Sequence, residues 1–406
     1  MEDSSTHAAV AAIASNSYGR LVAYLAARSG DIAGAEDALS DAFGAALRRW
    51  PLDGVPEKPE AWLLHAARNR LIDAARHAVV RRNTEPLLQI AEEAEEVAAM
   101  HPAFPDERLK LLFVCAHPAI DVMARTPLML QTVLGLDAAR IASAFLVSPA
   151  AMEQRLVRAK SKIREARLPF QVPDPPEWGE RVCFVLDAIY SAYTAGWSDV
   201  LDDASLHHAL SYDALEIGRM LVHLMPNEPE ARGLFALMLH VEARRGALYR
   251  DGKFIPLDRQ DVSLWSRSMI EEAEANLRAA SASGRIGRYQ LEAAIQSIHA
   301  HRIVSGSIDW QEIALLYEGL VRLSPTIGAK VGRAVALAEA GHLTDGLSAL
   351  DAVASGPATT YQPWWAARAH LLRQLGRHAE ARQAFERAAS LTSDPALRTY
   401  LLEGAG

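Results

Sequence analysis

Between residues 169 and 176 the chain reads Pro-Phe-Gln-Val-Pro-Asp-Pro-Pro, denser in proline than any other window. Proline lacks the N–H that a helix needs and its ring clashes with the preceding turn, so no helix continues through this stretch. On both sides the pattern is helical. Ala, Leu, Arg and Glu are abundant, and apolar residues recur at spacings of three and four, as in Leu63, Leu64, Ala67, Leu71, Ile72 and Ala75. Period-two alternation is almost absent. Only Arg250 to Leu257, with Asp251-Gly252 between apolar residues, has the look of a hairpin. The expectation is an all-α chain divided by a proline-rich boundary.

A second break runs from Thr84 to Phe104. It contains Glu92-Glu93-Ala94-Glu95-Glu96, ends beside Pro102 and Pro105, and suits a linker. Five parts follow: a helical block 1–83, an acidic linker 84–104, a block 105–168, the proline-rich linker 169–176, and a long extension 177–406. The 406 residues are enough for two to four domains, and 50% hydrophobic with 23% charged residues excludes wholesale disorder. No window approaches eighteen uninterrupted apolar residues, and Met1-Glu2-Asp3-Ser4-Ser5 lacks a basic-then-apolar leader. A soluble, cytoplasmic protein with no membrane partner is expected. Two cysteines, Cys115 and Cys183, exclude a disulfide framework and a cysteine-rich zinc site.

Charge is unevenly spread. The net charge is −8, yet residues 105–168 hold 10 basic and 6 acidic side chains, while 169–406 hold 22 and 29. A globally acidic chain is a poor indiscriminate nucleic-acid binder, whereas a locally basic helix on it is a candidate DNA reader. That helix lies at the end of the 105–168 block. A first helix runs Thr126 to Leu134, and Gly135-Leu136 breaks it. A second spans Asp137 to Leu146 with Asp137 as N-cap, and a third starts at Ser148-Pro149, Ser148 capping and Pro149 first in the helix. In the third, Met152, Leu156, Ala159 and Ile163 form a core stripe. Gln154, Arg155, Arg158, Lys160, Lys162 and Arg164 occupy the remaining surface. This helix–turn–helix pattern offers polar reach near the helix N-terminus for base edges and cations for phosphates. An ordinary basic surface helix has the same pattern.

The extension repeats itself. Placing Gly341 over Gly376 also places Ala334 over Ala369, Leu337 over Leu372, Gly346 over Ala381, Leu350 over Phe385 and Val353 over Ala388. These are the small and aromatic spacings of a tetratricopeptide-like helical repeat. A weaker copy ends at Tyr317, Leu320 and Pro325, and 213–245 reads as a degenerate helix pair.

In the first block, Ala35-Glu36-Asp37 with Phe43 is followed by Ala61-Trp62-Leu63, Ala67-Arg68-Asn69 and Asp73. Here the chain resembles bacterial RNA polymerase sigma factors of the extracytoplasmic-function type, and Met152 to Lys160 is similar to that family's second DNA-reading helix. Phe113 to Ala119, Phe145-Leu146-Val147, Gln154 to Lys160, and Glu228-Pro229-Glu230-Ala231 with Gly233-Leu234 resemble a subgroup with a long tetratricopeptide-containing extension.

The resemblance implies a promoter-specificity subunit with two partners, core RNA polymerase and promoter DNA. Asp31, Glu36, Asp37, Asp41 and Phe43 would dock on polymerase. Arg68, Asn69, Arg70, Arg76, Arg81 and Arg82 would hold the minus-ten element. Ser148, Gln154, Arg155, Arg158, Lys160 and Lys162 would read the minus-thirty-five element. The acidic extension would regulate, through a protein partner or an intramolecular contact, and would stand in place of a separate membrane-bound inhibitor. Trp62 and Leu63 are expected in the core, and Asp73 as an intrahelical partner of Arg70 or Arg76.

Two places depart from the subgroup. Ile189 to Trp197 keeps aromatic and glycine positions but not the Asn-Glu pair, and Cys115-Ala116-His117 has one cysteine where relatives often have two. Cys115 and His117 alone cannot complete a tetrahedral metal site, and His207-His208 and His299-Ala300-His301 lack acidic residues at metal spacing. No phosphate loop, nucleophile elbow or paired carboxylates are evident, so no enzymatic activity, cofactor or metal is expected. Two other readings remain open: a free-standing helix–turn–helix regulator, which binds DNA without polymerase, and a helical-repeat scaffold.

Overall fold

The computed structural model describes residues 2–82, 106–145, 147–198, 204–353 and 356–405. The expected linker 84–104 lies outside the described residues, as do Leu146 and the side chains of Arg81 and Arg82. The fold is all-α. Strand pairing among the described residues is confined to β1 (Tyr249–Arg250) and β2 (Lys253–Phe254), the expected hairpin. Asp251 and Gly252 between them have φ of 51° and 73°, the left-handed pair that a tight two-residue hairpin turn requires. No described helix is long and apolar enough to cross a membrane.

The chain forms two compact units, residues 1–197 with 205–217, and 198–204 with 218–406. The first contains α1 (Glu2–Ser29), α2 (Ile32–Asp53), α3 (Pro59–Arg82), α4 (Arg108–Cys115), α5 (Val122–Thr132), α6 (Ala138–Ala144), α7 (Pro149–Glu165) and α8 (Gly179–Ser198). The next helix, α9 (Ala204–Leu224), begins in it. The units part within α9, not at the proline-rich segment. That segment ends the preceding helix and is tied back by the Trp178 indole, which donates to the Pro173 carbonyl at 2.8 Å.

Helix α1 organises the first unit. Six consecutive residues, Leu21 to Ala26, are all buried, a pattern that no one-sided amphipathic helix shows. The cause is packing on two sides, against α2 and α3 and also against α4 and α5. Gly19 permits the second contact, because a Cβ there would overlap the Val133 carbonyl. Arg108 on α4 is buried between Asp106 at 2.8 Å and Asp213 of α9 at 3.0 Å. A charge this far from water needs such partners, so the start of the extension is built into the first unit.

The second unit continues with α10 (Pro229–Glu242), α11 (Arg267–Ser281), α12 (Arg288–Ser305) and α13 (Trp310–Leu323). It ends with α14 (Ile327–Glu339), α15 (Leu343–Asp351), α16 (Gln362–Gln374), α17 (His378–Ser390) and α18 (Pro395–Ala405). The offset seen in the sequence is the offset of the helices: α14 and α16 start 35 residues apart at Ile327 and Gln362, and so do α15 and α17 at Leu343 and His378. Gly341 and Gly376 turn each pair with φ of 99° and 74°. Gly346 lets α15 lie against α14, since a Cβ there would sit 2.6 Å from the Ala334 carbonyl. The hairpin docks on the last helix, with Tyr249 donating to Asp394 at 2.7 Å and Phe254 5.4 Å from the Tyr400 ring.

The Glu228 to Leu234 motif is architectural. The Glu230 carboxylate accepts from the backbone N–H groups of Tyr289 and Gln290 at 2.9 and 3.1 Å, and so caps the first turn of α12. Gly233 provides the room for this, because a Cβ there would lie 2.7 Å from the Gln290 nitrogen. Glu230→Ala leaves two helix-end donors without their acceptor and should cost about 1–3 kcal/mol, read by urea unfolding. His299, buried against Trp310, has its pKa lowered from 6.5 to about 4, first by burial and then by Arg244 and Arg302. Between those values the unfolded chain binds a proton that the folded unit refuses, so stability should fall as pH drops from 6.5 to 4 and level off below. His299→Phe should flatten that part of the pH–stability curve, measured by denaturant titration.

Candidate nucleic-acid interface

The expected cap geometry is present around α6 and α7. The Asp137 carboxylate accepts from the Arg140 N–H at 2.8 Å, and the Ser148 hydroxyl accepts from the Ala151 N–H at 3.3 Å. Gly135, with φ of 68°, ends the preceding helix. That helix, α5, starts at Val122 rather than Thr126, because Asp121 caps it by accepting from Met123 N–H. Pro127 lies inside α5 and has no N–H to give the Met123 carbonyl four residues back. Arg155 of α7 fills that gap, its Nη1 donating to Met123 O at 3.3 Å.

Met152, Leu156, Ala159 and Ile163 are buried, as the stripe requires. The helix then sorts its polar residues onto two other faces. Gln154, Arg158 and Lys162, four apart, are exposed, and Arg158 folds back onto the Gln154 carbonyl at 3.2 Å. Lys160 and Arg164 point the other way, toward α2. Lys160 Nζ is 2.5 Å from Glu36 Oε2, and the two side chains are only 11% and 17% exposed. Arg164 lies 3.5 Å from Asp31. Burial raises the Glu36 carboxyl above its usual pKa, while Lys160 draws it back.

Lys160, expected among the DNA-reading cations, and Glu36, expected among the polymerase contacts, are therefore each other's partners here. In this arrangement neither faces solvent. The reason lies in geometry that local pattern does not carry, since α2 and α7 are more than a hundred residues apart. Asp37 and Asp41 remain exposed on α2, with Phe43 half-buried beside them.

On α3, Leu63 is buried and Trp62 meets Trp50 edge-on at 5.5 Å, consistent with core roles for both. Arg70 reaches Asp41 at 3.8 Å, and Arg76 reaches Asp73 at 3.9 Å. Both pairs are well exposed, and such pairs contribute about 0–1 kcal/mol, so they yield easily to a phosphate. Asn69 is exposed, 3.4 Å from His65, and Arg68 is half-buried. Tyr18 and Gly19 were not singled out from the sequence. Gly19, set between Tyr18 and Arg20 inside a helical pattern, was the available signal for close packing.

Burial pushes the Cys115 thiol up to about 12, and its sulfur sits 3.7 Å from the Thr132 hydroxyl. His117 accepts the Ala119 N–H at 3.1 Å, and the described residues contain no group of three metal-ligand types positioned to hold an ion. In α8, Ile189, Ala192, Tyr193 and Gly196 are buried and Tyr190 is half-buried, so Tyr193 and Gly196 of the altered stretch pack inward.

Comparison with known proteins places these helices. The sigma-70 region 2 model matches residues 15–79, which include α2 and most of α1 and α3. A model described as a family of unknown function, DUF6596, matches residues 181–281. An uncharacterized protein, R00370, from Rhizobium meliloti (strain 1021) is 37% identical over 375 residues, covering 90% of this chain and 88% of its own length. No solved structure matches. Sigma-70 region 2 implies binding to core RNA polymerase and promoter DNA, and it supports a sigma-factor-like role in transcription initiation, in a family of transcription factors rather than enzymes. The chain thus belongs to the family of the Rhizobium meliloti protein R00370, with a sigma-70 region 2 at its N-terminus.

Proposed function

We propose that this chain is a sigma factor of the extracytoplasmic-function type whose long C-terminal extension regulates it. The observation that carries the reading is the pairing of a sigma-70 region 2 with a second helical motif, α6 and α7, whose exposed face holds Gln154, Arg158 and Lys162. The first supplies contacts to polymerase and to the minus-ten element. The second, a helix–turn–helix in this reading, presents an N-terminal face sized for the major groove of the minus-thirty-five element.

The roles divide by chemistry. Asp37, Asp41 and Phe43 form an apolar spot rimmed by carboxylates, the kind of surface that docks a partner helix of opposite charge. Arg68, Asn69, Arg70 and Arg76 line α3, with Arg81 and Arg82 beyond them in sequence, and would track the phosphates of the melted minus-ten strand. Gln154 and Arg158 would read base edges, with Ser148 and Lys162 toward the backbone. Arg155 would read only after leaving the Met123 carbonyl. The paired helices of 327–390 fit a tetratricopeptide-like regulatory module, whose repeats favour protein partners over DNA. Such a protein would work in the cytoplasm, where the polymerase is.

Reconstituted transcription tests this reading. Core polymerase with the full chain should give defined start sites on a library of promoter fragments. Arg158→Ala should lower promoter use by about 1–3 kcal/mol, roughly fivefold to 150-fold, with core binding unchanged. Absence of both transcripts and core binding would overturn the reading, and operator binding without polymerase would favour a free-standing regulator.

A further inference from the structure

The second unit contains a cavity that promoter recognition does not use. We infer that it is the docking site of a basic, amphipathic segment of a partner protein, which rests on and deepens the reading of the repeat helices as a partner-binding module. The cavity is open, about 790 Å³ in volume, and lies where α12 turns into α13 and α14 ends. Ser297 and His301 of α12, Ile308 of the turn, Trp310 and Glu312 of α13 and Glu339 of α14 form much of its wall. Clefts of this size are common ligand sites.

Charge decides the sign of what fits. Asp309, Glu312 and Glu339 bring three carboxylates to the lining, and among the described residues no Lys or Arg joins them. Asp309 caps α13 by accepting from the Glu312 N–H at 2.9 Å, and Glu339 Oε1 lies 2.8 Å from His370 Nε2 and accepts from Gln374 Nε2 at 3.0 Å. Glu312 is exposed, and its carboxylate has no hydrogen bond or ion pair among the described residues. Helix α12 ends at Ser305 and α14 at Glu339, so the negative ends of two helix dipoles border the same space. A Lys or Arg side chain entering here meets carboxylates, carbonyl ends and the Trp310 ring, each of which favours a cation.

Apolar exposure decides the shape. Ser297, His301 and Ser305 follow at four-residue intervals along the cavity side of α12, and Val304, three after His301, shares that side and is 81% exposed. On α13, Leu315 follows Gln311 by four residues and Glu312 by three, and it is 73% exposed. Two large apolar side chains thus stand in water beside unneutralised carboxylates. A small polyvalent cation would satisfy the carboxylates and leave Val304 and Leu315 wet. A peptide with cations on one flank and apolar residues on the other covers both, and the apolar burial adds what charge alone does not supply. The excess of acidic over basic residues in 169–406, 29 against 22, attracts such a segment from a distance.

Fluorescence anisotropy on the full chain tests the inference, with a fluorescein-labelled lysine–leucine peptide patterned as an amphipathic helix. The peptide should bind in the micromolar range and more weakly as salt is added, and the same pattern with glutamate in place of lysine should not bind. Glu312→Gln and Leu315→Ser, both at exposed positions, should each weaken binding roughly tenfold, while Glu386→Gln, at an exposed carboxylate of α17, should leave it unchanged. Spermidine, a cation without an apolar face, should displace the peptide only at far higher concentration than unlabelled peptide does.

Amide hydrogen exchange of the unsubstituted chain gives a second measurement, in which the peptide should slow exchange most over residues 305–315. No binding, losses at Glu312 and Leu315 no larger than at Glu386, or spermidine displacing as well as unlabelled peptide would each overturn the inference. So would protection that misses 305–315. None of these outcomes bears on the sigma reading, which transcription with core polymerase decides separately.

Discussion

A buried charge must find its opposite, and in the N-terminal unit that requirement decides which helices meet. Lys160 and Glu36 are on helices whose local sequences show no sign of each other, and each is an ordinary surface residue by its own periodicity. Brought to 2.5 Å, they fix the register of α7 on α2. Arg108, nearly inaccessible between Asp106 and Asp213, does the same for α4 and α9. Such pairs add little net stability, because desolvation offsets attraction, but removing one partner leaves the other stranded. They therefore select an arrangement more than they strengthen it.

Small residues do the complementary work where helices come close. Gly19, Gly233 and Gly346 each occupy a point where a Cβ would meet backbone from a neighbouring helix or turn. A glycine in a helix costs about 1 kcal/mol in propensity, and the packed contact it permits returns that cost. At Gly233 the return is specific, because the approach brings Glu230 onto the donors that open α12. A motif that resembles a family signature is here a helix cap and a crossing point. That separates it from the chemistry of promoter recognition.

The same logic divides the candidate interface. Exposed pairs such as Arg70 with Asp41 and Arg76 with Asp73 hold their cations loosely, which the proposed phosphate contacts of α3 require. The sealed pair holds Lys160 firmly. Along one helix, Gln154, Arg158 and Lys162 face solvent, Lys160 is sealed against α2, and Arg164, still exposed, meets Asp31, so a uniform basic helix in sequence becomes two faces in different surroundings.

What the amino-acid sequence determined by itself was local. Helical class, the Asp137 and Ser148 caps, the Met152 to Ile163 stripe, the Asp251-Gly252 turn and the 35-residue offset of the repeat all follow from backbone preferences and periodicity within a few residues. Region 2 was legible for the same reason, since its motif lies within two consecutive helices, α2 and α3. Where the units part, why Leu21 to Ala26 of α1 are buried on every side, and which of the cations on α7 stay in water were decided by tertiary structure. Those outcomes depend on helices 40 to more than 100 residues apart meeting at angstrom distances. Periodicity sets which face of a helix is apolar, and only packing decides what that face, and the charges beside it, will touch.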